Sequence, residues 1–248
     1  MTRTPWLGYS AAAGLLLLLW QIAAWWAGPL IIPGPVQTAA AWLEECQTRL
    51  YWVHFFTSAL RISVSLAVAF VAAVPLGLAL GGSRRADRWS APLIYLTYPI
   101  PKIVLLPLIL LIFGLGDLSK IFLIGLIVFF QLLITTRDAA RQITKEMRYS
   151  MKSLGASRVD FFRHVIWPVS LPGVFTSLRI GVGTSVAVLF FVESVGTQSG
   201  LGLYILNAWG IADSQVMFVG IVSLSALGVI LYEVFDLLER RYCQWRRL

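Results

Sequence analysis

Apolar residues along this 248-residue chain gather in long unbroken runs, separated by short polar stretches. A helix needs about 20 predominantly apolar residues to cross the hydrocarbon of a bilayer. Candidate spans are 10–28, 54–80, 91–113, 118–136, 171–195 and 215–237. They predict an all-α integral membrane protein with about six transmembrane helices, because a lipid-exposed backbone must satisfy its own hydrogen bonds. The third span contains "YPIPKIVLLP", where Pro99, Pro101 and Pro107 interrupt helix hydrogen bonding. Two further apolar stretches are too short to cross. Residues 29–52 begin "PLIIPGP" and continue with Val36, Ala40 and Leu43 on one stripe, which predicts a short surface helix over 36–50. Residues 196–214 hold Leu201–Trp209 between glycines, the pattern of a re-entrant or interfacial helix.

Composition agrees with this picture. The chain is 58% hydrophobic and 13% charged, against about 25% charged in soluble domains. Its ten tryptophans suit the aromatic belts at membrane interfaces. The net charge of +8 raises nucleic acid as a partner. The cations lie mostly in loops between apolar runs, however, where they act as positive-inside signals. Arg3, Arg84, Arg85 and Arg88, the group from Arg137 to Arg163, and Arg240 to Arg247 all fall on one side when both termini are cytoplasmic. The expected topology is therefore N-in and C-in. One transmembrane domain covers 1–248, with a first helix over 1–30, an outer segment over 31–52 and a core over 53–248. The first apolar run is long enough to cross, and Trp25 and Trp26 stand where a signal peptide would need small residues, so it reads as an uncleaved helix. Cys46 and Cys243 fall on opposite sides and cannot pair within one chain.

One long polar segment breaks the pattern, the loop 137–170. Ile143, Met147, Met151 and Leu154 recur at helical spacing. Gly155 follows, where a positive φ can end a helix. Ser157 stands three residues before Asp160, the spacing of a capping box. A second helix carrying Val159, Phe161, Phe162, Val165 and Ile166 is expected to end at Pro168. Two short helices set at an angle suit either an interfacial pair on anionic lipid or a docking surface for a soluble partner. Between spans three and four, "FGLGDLSK" reads as a tight turn with Asp117 or Ser119 as N-cap.

Polar residues within spans are costly and commonly face a cavity or partner. Lys102, Gln131 and Glu193 are candidates for a translocation pathway. Lys102 could instead snorkel to an interface, Glu193 could pair with Lys102 or cap the re-entrant segment, and Arg61 could snorkel outward. Gly77 and Gly81 form a small-xxx-small pair suited to close helix contact. No Gly-Lys pair is present, so no P-loop can be drawn. His54 and His164 are far apart, and no catalytic or metal constellation is assigned.

The loop residues resemble a family, the permease subunits of bacterial ABC-type importers. The family's loop motif is glycine, nine residues, an aliphatic, one residue, usually a leucine, and proline; here Gly155, Val165, Trp167 and Pro168 stand at those places. Pro172, Arg179, "IPGP", "PKIVLLPLILLIFGLGDLSKIF" and "ESVGTQSGLG" are also similar to it. The likeness runs from Ile32 to the C-terminus, within the branch that imports nitrate, sulfonates, taurine, bicarbonate and thiamine-precursor-type compounds. Tyr149, Ser150 and Met151 replace the family's Glu-Ala-Ala, and Trp167 replaces a leucine. The resemblance implies a bacterial inner-membrane importer subunit working as a homodimer. It implies ATPase partners that use ATP and Mg, and a periplasmic solute-binding protein. Leu154, Gly155, Ala156, Ser157, Phe161, Phe162 and Pro168 would then dock the ATPase, and this chain would bind no cofactor. A self-sufficient channel or secondary transporter is the competing class.

Overall fold

The computed structural model describes residues 5–247, and Arg3, counted above among the inside charges, lies outside them. Eleven α-helices follow one another without a strand among the described residues. They are α1 Pro5–Ala27, α2 Pro35–Glu45, α3 Arg49–Gly82, α4 Arg84–Thr97, α5 Leu106–Phe113, α6 Asp117–Arg141, α7 Lys145–Ser153, α8 Arg158–Phe161, α9 Trp167–Glu193, α10 Leu201–Gly210 and α11 Ser214–Tyr242. Five helical segments are long and apolar enough to cross a membrane, or six when the bent pair Arg84–Thr97 and Lys102–Phe113 counts as one span. The predicted spans fall on these segments.

The chain forms two compact units. One comprises residues 1–58 and 193–225, the other 59–192 and 226–248. The second holds the main apolar core. There α6 buries Leu123, Ile124, Val128 and Leu132, while α3 buries Ile62, Leu66, Ala73 and Leu78. These two helices touch through small residues. A Cβ at Gly81 would lie 2.2 Å from the Arg137 carbonyl oxygen, and one at Gly77 would lie 2.8 Å from Thr136 Cβ. Only hydrogen at both positions permits that approach.

The prolines break the third span. Between α4 and α5 the axis turns by 72°, and Lys102–Leu105 form a single 3-10 turn. The Lys102 ammonium donates to the carbonyl oxygens of Thr97 at 2.9 Å, Tyr98 at 2.9 Å and Ile100 at 3.0 Å. These acceptors are left open where a helix stops. Lys120 does the same at the start of α6, donating to Leu115 O at 2.6 Å and Gly116 O at 3.2 Å.

Five expectations change. The surface helix ends at Glu45, not at 50, and α3 begins at Arg49, because Gln47 and Thr48 close turns onto the carbonyls of Glu44 and Glu45. Gly116, rather than Asp117 or Ser119, caps α6. Asp117 is instead held by Arg61, whose Nε donates to it at 2.8 Å, so Arg61 is buried in an ion pair and does not snorkel. Pro168 does not end a helix. A π turn over Phe162–Ile166 leads directly into α9, in which Pro168 is the second residue. The wider π turn makes room for its ring within a continuous helical segment. Finally, α6 runs on to Arg141 and takes Arg137 out of the loop.

Candidate functional site

The polar loop folds into an elbow whose shape comes from local sequence. Thr144 caps α7 by accepting the Met147 N–H at 3.3 Å. Glu146 sits in the first turn, where its own backbone N–H and the Thr144 hydroxyl hold its carboxyl below the usual range. At the other end Gly155 takes φ +68°. Its N–H bonds the Lys152 carbonyl at 3.0 Å, and the Ala156 N–H reaches back to Met151 O at 3.1 Å. This pair of bonds is a Schellman turn, which favours glycine. Ser157 then opens α8 with the expected capping box. Its Oγ accepts the Asp160 N–H at 3.2 Å, and its own N–H donates to Asp160 Oδ2 at 3.0 Å. Capping boxes and glycine stops fix the angle between the two helices without distant support.

The elbow presents apolar side chains to solvent. Leu154 is 80% exposed, Val159 72% and Phe162 44%. Ser157 is exposed too, and Ala156, Phe161 and Pro168 are half-buried. Arg148 braces the elbow from within by donating to Gly82 O at 2.8 Å and lying over the Phe161 ring at 5.3 Å. The structure places the candidates Leu154, Gly155, Ala156, Ser157, Phe161 and Phe162 on the elbow and Pro168 at the start of α9.

The pathway candidates do not gather in that way. Lys102 closes the broken span and lies 4.5 Å from the Phe130 ring centroid. Gln131, the next residue, is half-buried on α6. Glu193, 0% exposed, caps α10. Its carboxylate accepts the Ser58 hydroxyl at 2.8 Å and the Gly202 N–H at 2.8 Å. Ser58 Oγ in turn accepts the Leu201 N–H at 2.8 Å, and the Gly200 N–H donates to His54 Nδ1 at 2.9 Å. The N-terminal amides of α10 thereby receive a carboxylate, a hydroxyl and an imidazole. Nearby, the Tyr51 and Ser223 hydroxyls bond at 2.7 Å, and Trp42 Nε1 donates to the Tyr51 hydroxyl at 2.9 Å.

Of the two partners the sequence offered Glu193, the structure shows the cap on this segment; sequence reasoning missed His54 and Ser58, which complete the clamp. The signal available was His54 and Ser58 at i and i+4 on an apolar helix, one polar face needing a partner. It also missed two ion-pair networks. Arg137, 0% exposed, donates from Nε to Asp87 at 2.6 Å. Arg179 binds Asp236 and Glu239, both at 2.6 Å.

Apolar spans, one broken by prolines, with an amphipathic elbow between two of them, define a multi-pass membrane protein. The model of the binding-protein-dependent transport system inner membrane component family matches residues 73–243, and the chain belongs to that family. It is 30% identical to the taurine transport system permease protein TauC of Escherichia coli (strain K12), over 99% of this chain and 91% of that protein. It is 31% identical to the riboflavin transport system permease protein RibX of Chloroflexus aurantiacus, over 97% of this chain and 91% of that one. Among solved structures, the MetNI methionine ABC transporter in inward-facing conformations superposes with a TM-score of 0.68 at 21% identity, covering 78% of this chain and 96% of that one. That likeness is one of fold. The chain is a transport permease subunit of the bacterial inner membrane.

Proposed function

We propose that two copies of this chain form the passage of an ATP-driven importer, with both termini and the 145–168 elbow in the cytoplasm. ATP, with Mg, is hydrolysed by separate ATPase subunits that seat the elbow in a groove. A periplasmic solute-binding protein delivers the solute, docking near α2 and the 196–214 segment. The observation that carries the reading is the elbow. Two capped helices fix Leu154, Val159 and Phe162 in a rigid, exposed apolar array, leading straight through a π turn into a membrane helix. A rigid lever continuous with a span can turn a displacement of the partner into movement within the membrane. Lys102 and Gln131 are the candidates to face the solute, and Glu193 acts on the passage by holding α10. Relatives named for taurine and riboflavin support a small organic solute.

The test is coexpression with the ATPase subunit of the same system. Wild-type chain is expected to purify with it as a complex of two permeases and two ATPases, and Leu154→Glu to release the ATPase while still inserting. Uptake into vesicles that lack the ATPase would refute the reading in favour of a channel or secondary transporter.

A further inference from the structure

The ends of α3 and α6, the start of α4 and the α7–α8 elbow enclose an open groove of about 1290 Å³. Its charge is one-sided. Arg84, Arg88, Lys145, Lys152 and Arg158 line it, are exposed, and form no ion pair with a carboxylate among the described residues. Arg141 and Arg148 add two more cations. Asp87 is the one acid among the lining residues, and it is already held by Arg137 Nε at 2.6 Å and by Arg141 Nε at 3.5 Å. A groove lined by cations of one sign draws an anion. A second feature says what kind. Trp89, Leu93 and Leu96 follow Arg88 along α4 at i, i+4 and i+7 spacing, so they share one face, and all three are exposed. A soluble anion has no use for such a stripe. A phosphate headgroup with acyl chains matches both parts, the charge in the groove and the apolar stripe beside it.

We propose that this groove is a binding site for an anionic phospholipid, its phosphate among Arg84, Arg88 and Lys152 and its acyl chains along Trp89, Leu93 and Leu96. The charge and the apolar stripe belong to this chain, while Ala156, Ser157, Phe161 and Phe162 of the elbow line the same groove, so the test is run with and without the ATPase. Bound lipid would bridge α4 to the elbow and brace the elbow at the membrane surface.

Native mass spectrometry of the purified full chain, with and without its ATPase, tests this with phosphatidylglycerol and phosphatidylcholine of equal chain length. Phosphatidylglycerol is expected to be retained and phosphatidylcholine lost. The triple variant Arg84→Gln, Arg88→Gln, Lys152→Gln should bind phosphatidylglycerol about a hundredfold more weakly, at roughly fivefold per cation. A control with Arg49→Gln and Arg163→Gln, outside the groove, should bind as wild type does. Glycerol phosphate, which carries the charge without the chains, should not displace the lipid. Equal retention of both lipids by the wild type would overturn the proposal whether or not the variant folds. So would loss of lipid in the control variant, or displacement by glycerol phosphate, which would mark a small-anion site. Release of the lipid when the ATPase docks would assign the groove to an acidic segment of that partner instead.

Discussion

A single methyl group at position 200 would strike the carboxylate that anchors α10. The Cβ of an alanine there would lie 2.3 Å from the Glu193 carboxyl carbon, on a backbone already at φ +129°. Both terms oppose substitution, the clash and the left-handed φ. Gly200→Ala is expected to lower stability by about 2–4 kcal/mol, read as a drop in the thermal midpoint of detergent-solubilised protein; an unchanged midpoint would mean that the clamp yields freely. Glu193→Gln tests the charge separately. The amide keeps the shape and one acceptor, yet it no longer offers α10 an anion, so a loss of about 1–3 kcal/mol is expected. A larger loss for Glu193→Ala, with two buried donors left unmet, would complete the series. The same residue-level logic explains why intramembrane charge does not always mark a passage. Lys102 spends its ammonium group on carbonyl oxygens exposed by a helix end, Lys120 spends its own on carbonyls of the turn before α6, and Arg61 and Arg179 are closed by carboxylates.

At the scale of the element, the spans were legible because length and hydropathy alone decide them. The elbow was legible because its turn and cap are local: Gly155 and the Ser157–Asp160 pair specify their geometry within a few residues. What escaped was set by distant partners or by backbone detail. Asp117 looked like a cap because its partner Arg61 is 56 residues away. Arg137 looked like a loop charge because its partner Asp87 lies 50 residues earlier. Pro168 looked like a stop because sequence does not announce a π turn. The broken span offers a prediction of its own. Removing the ammonium with Lys102→Met leaves the carbonyls of Thr97, Tyr98 and Ile100 without their shared donor, and the prolines keep α4 from closing over them. The bend of 72° should then lose its definition. Vesicle uptake is expected to fall by about tenfold, equivalent to roughly 1.4 kcal/mol, with normal membrane insertion. Full uptake would restrict Lys102 to a dispensable anchoring role.

At the scale of the whole molecule, the question is whether the elbow works as a lever or merely as a loop. A lever needs a stiff contact at one end and an unbroken path from there. The path exists in the backbone, where Arg158 to Glu193 runs as one helical segment through the π turn. Phe162 sits at the start of that turn with its ring partly in solvent. Phe162→Asp would place a charge in the proposed apolar contact, where an unpaired carboxylate costs several kcal/mol, while leaving the capped helices intact. Gly155→Val attacks the other requirement. Nothing lies within 4 Å of a Cβ there, so the penalty is purely the positive φ, and the elbow's angle changes without any steric clash. If the elbow transmits force, the two variants must part company in one measurement. Phe162→Asp should lower binding of the ATPase. Gly155→Val should retain binding, yet hydrolyse ATP with uptake reduced by about tenfold or more, since a misdirected lever wastes the stroke. Measuring uptake and hydrolysis together in vesicles decides it: coupled, wild-type-like transport by Gly155→Val would show that the angle at the elbow carries no force.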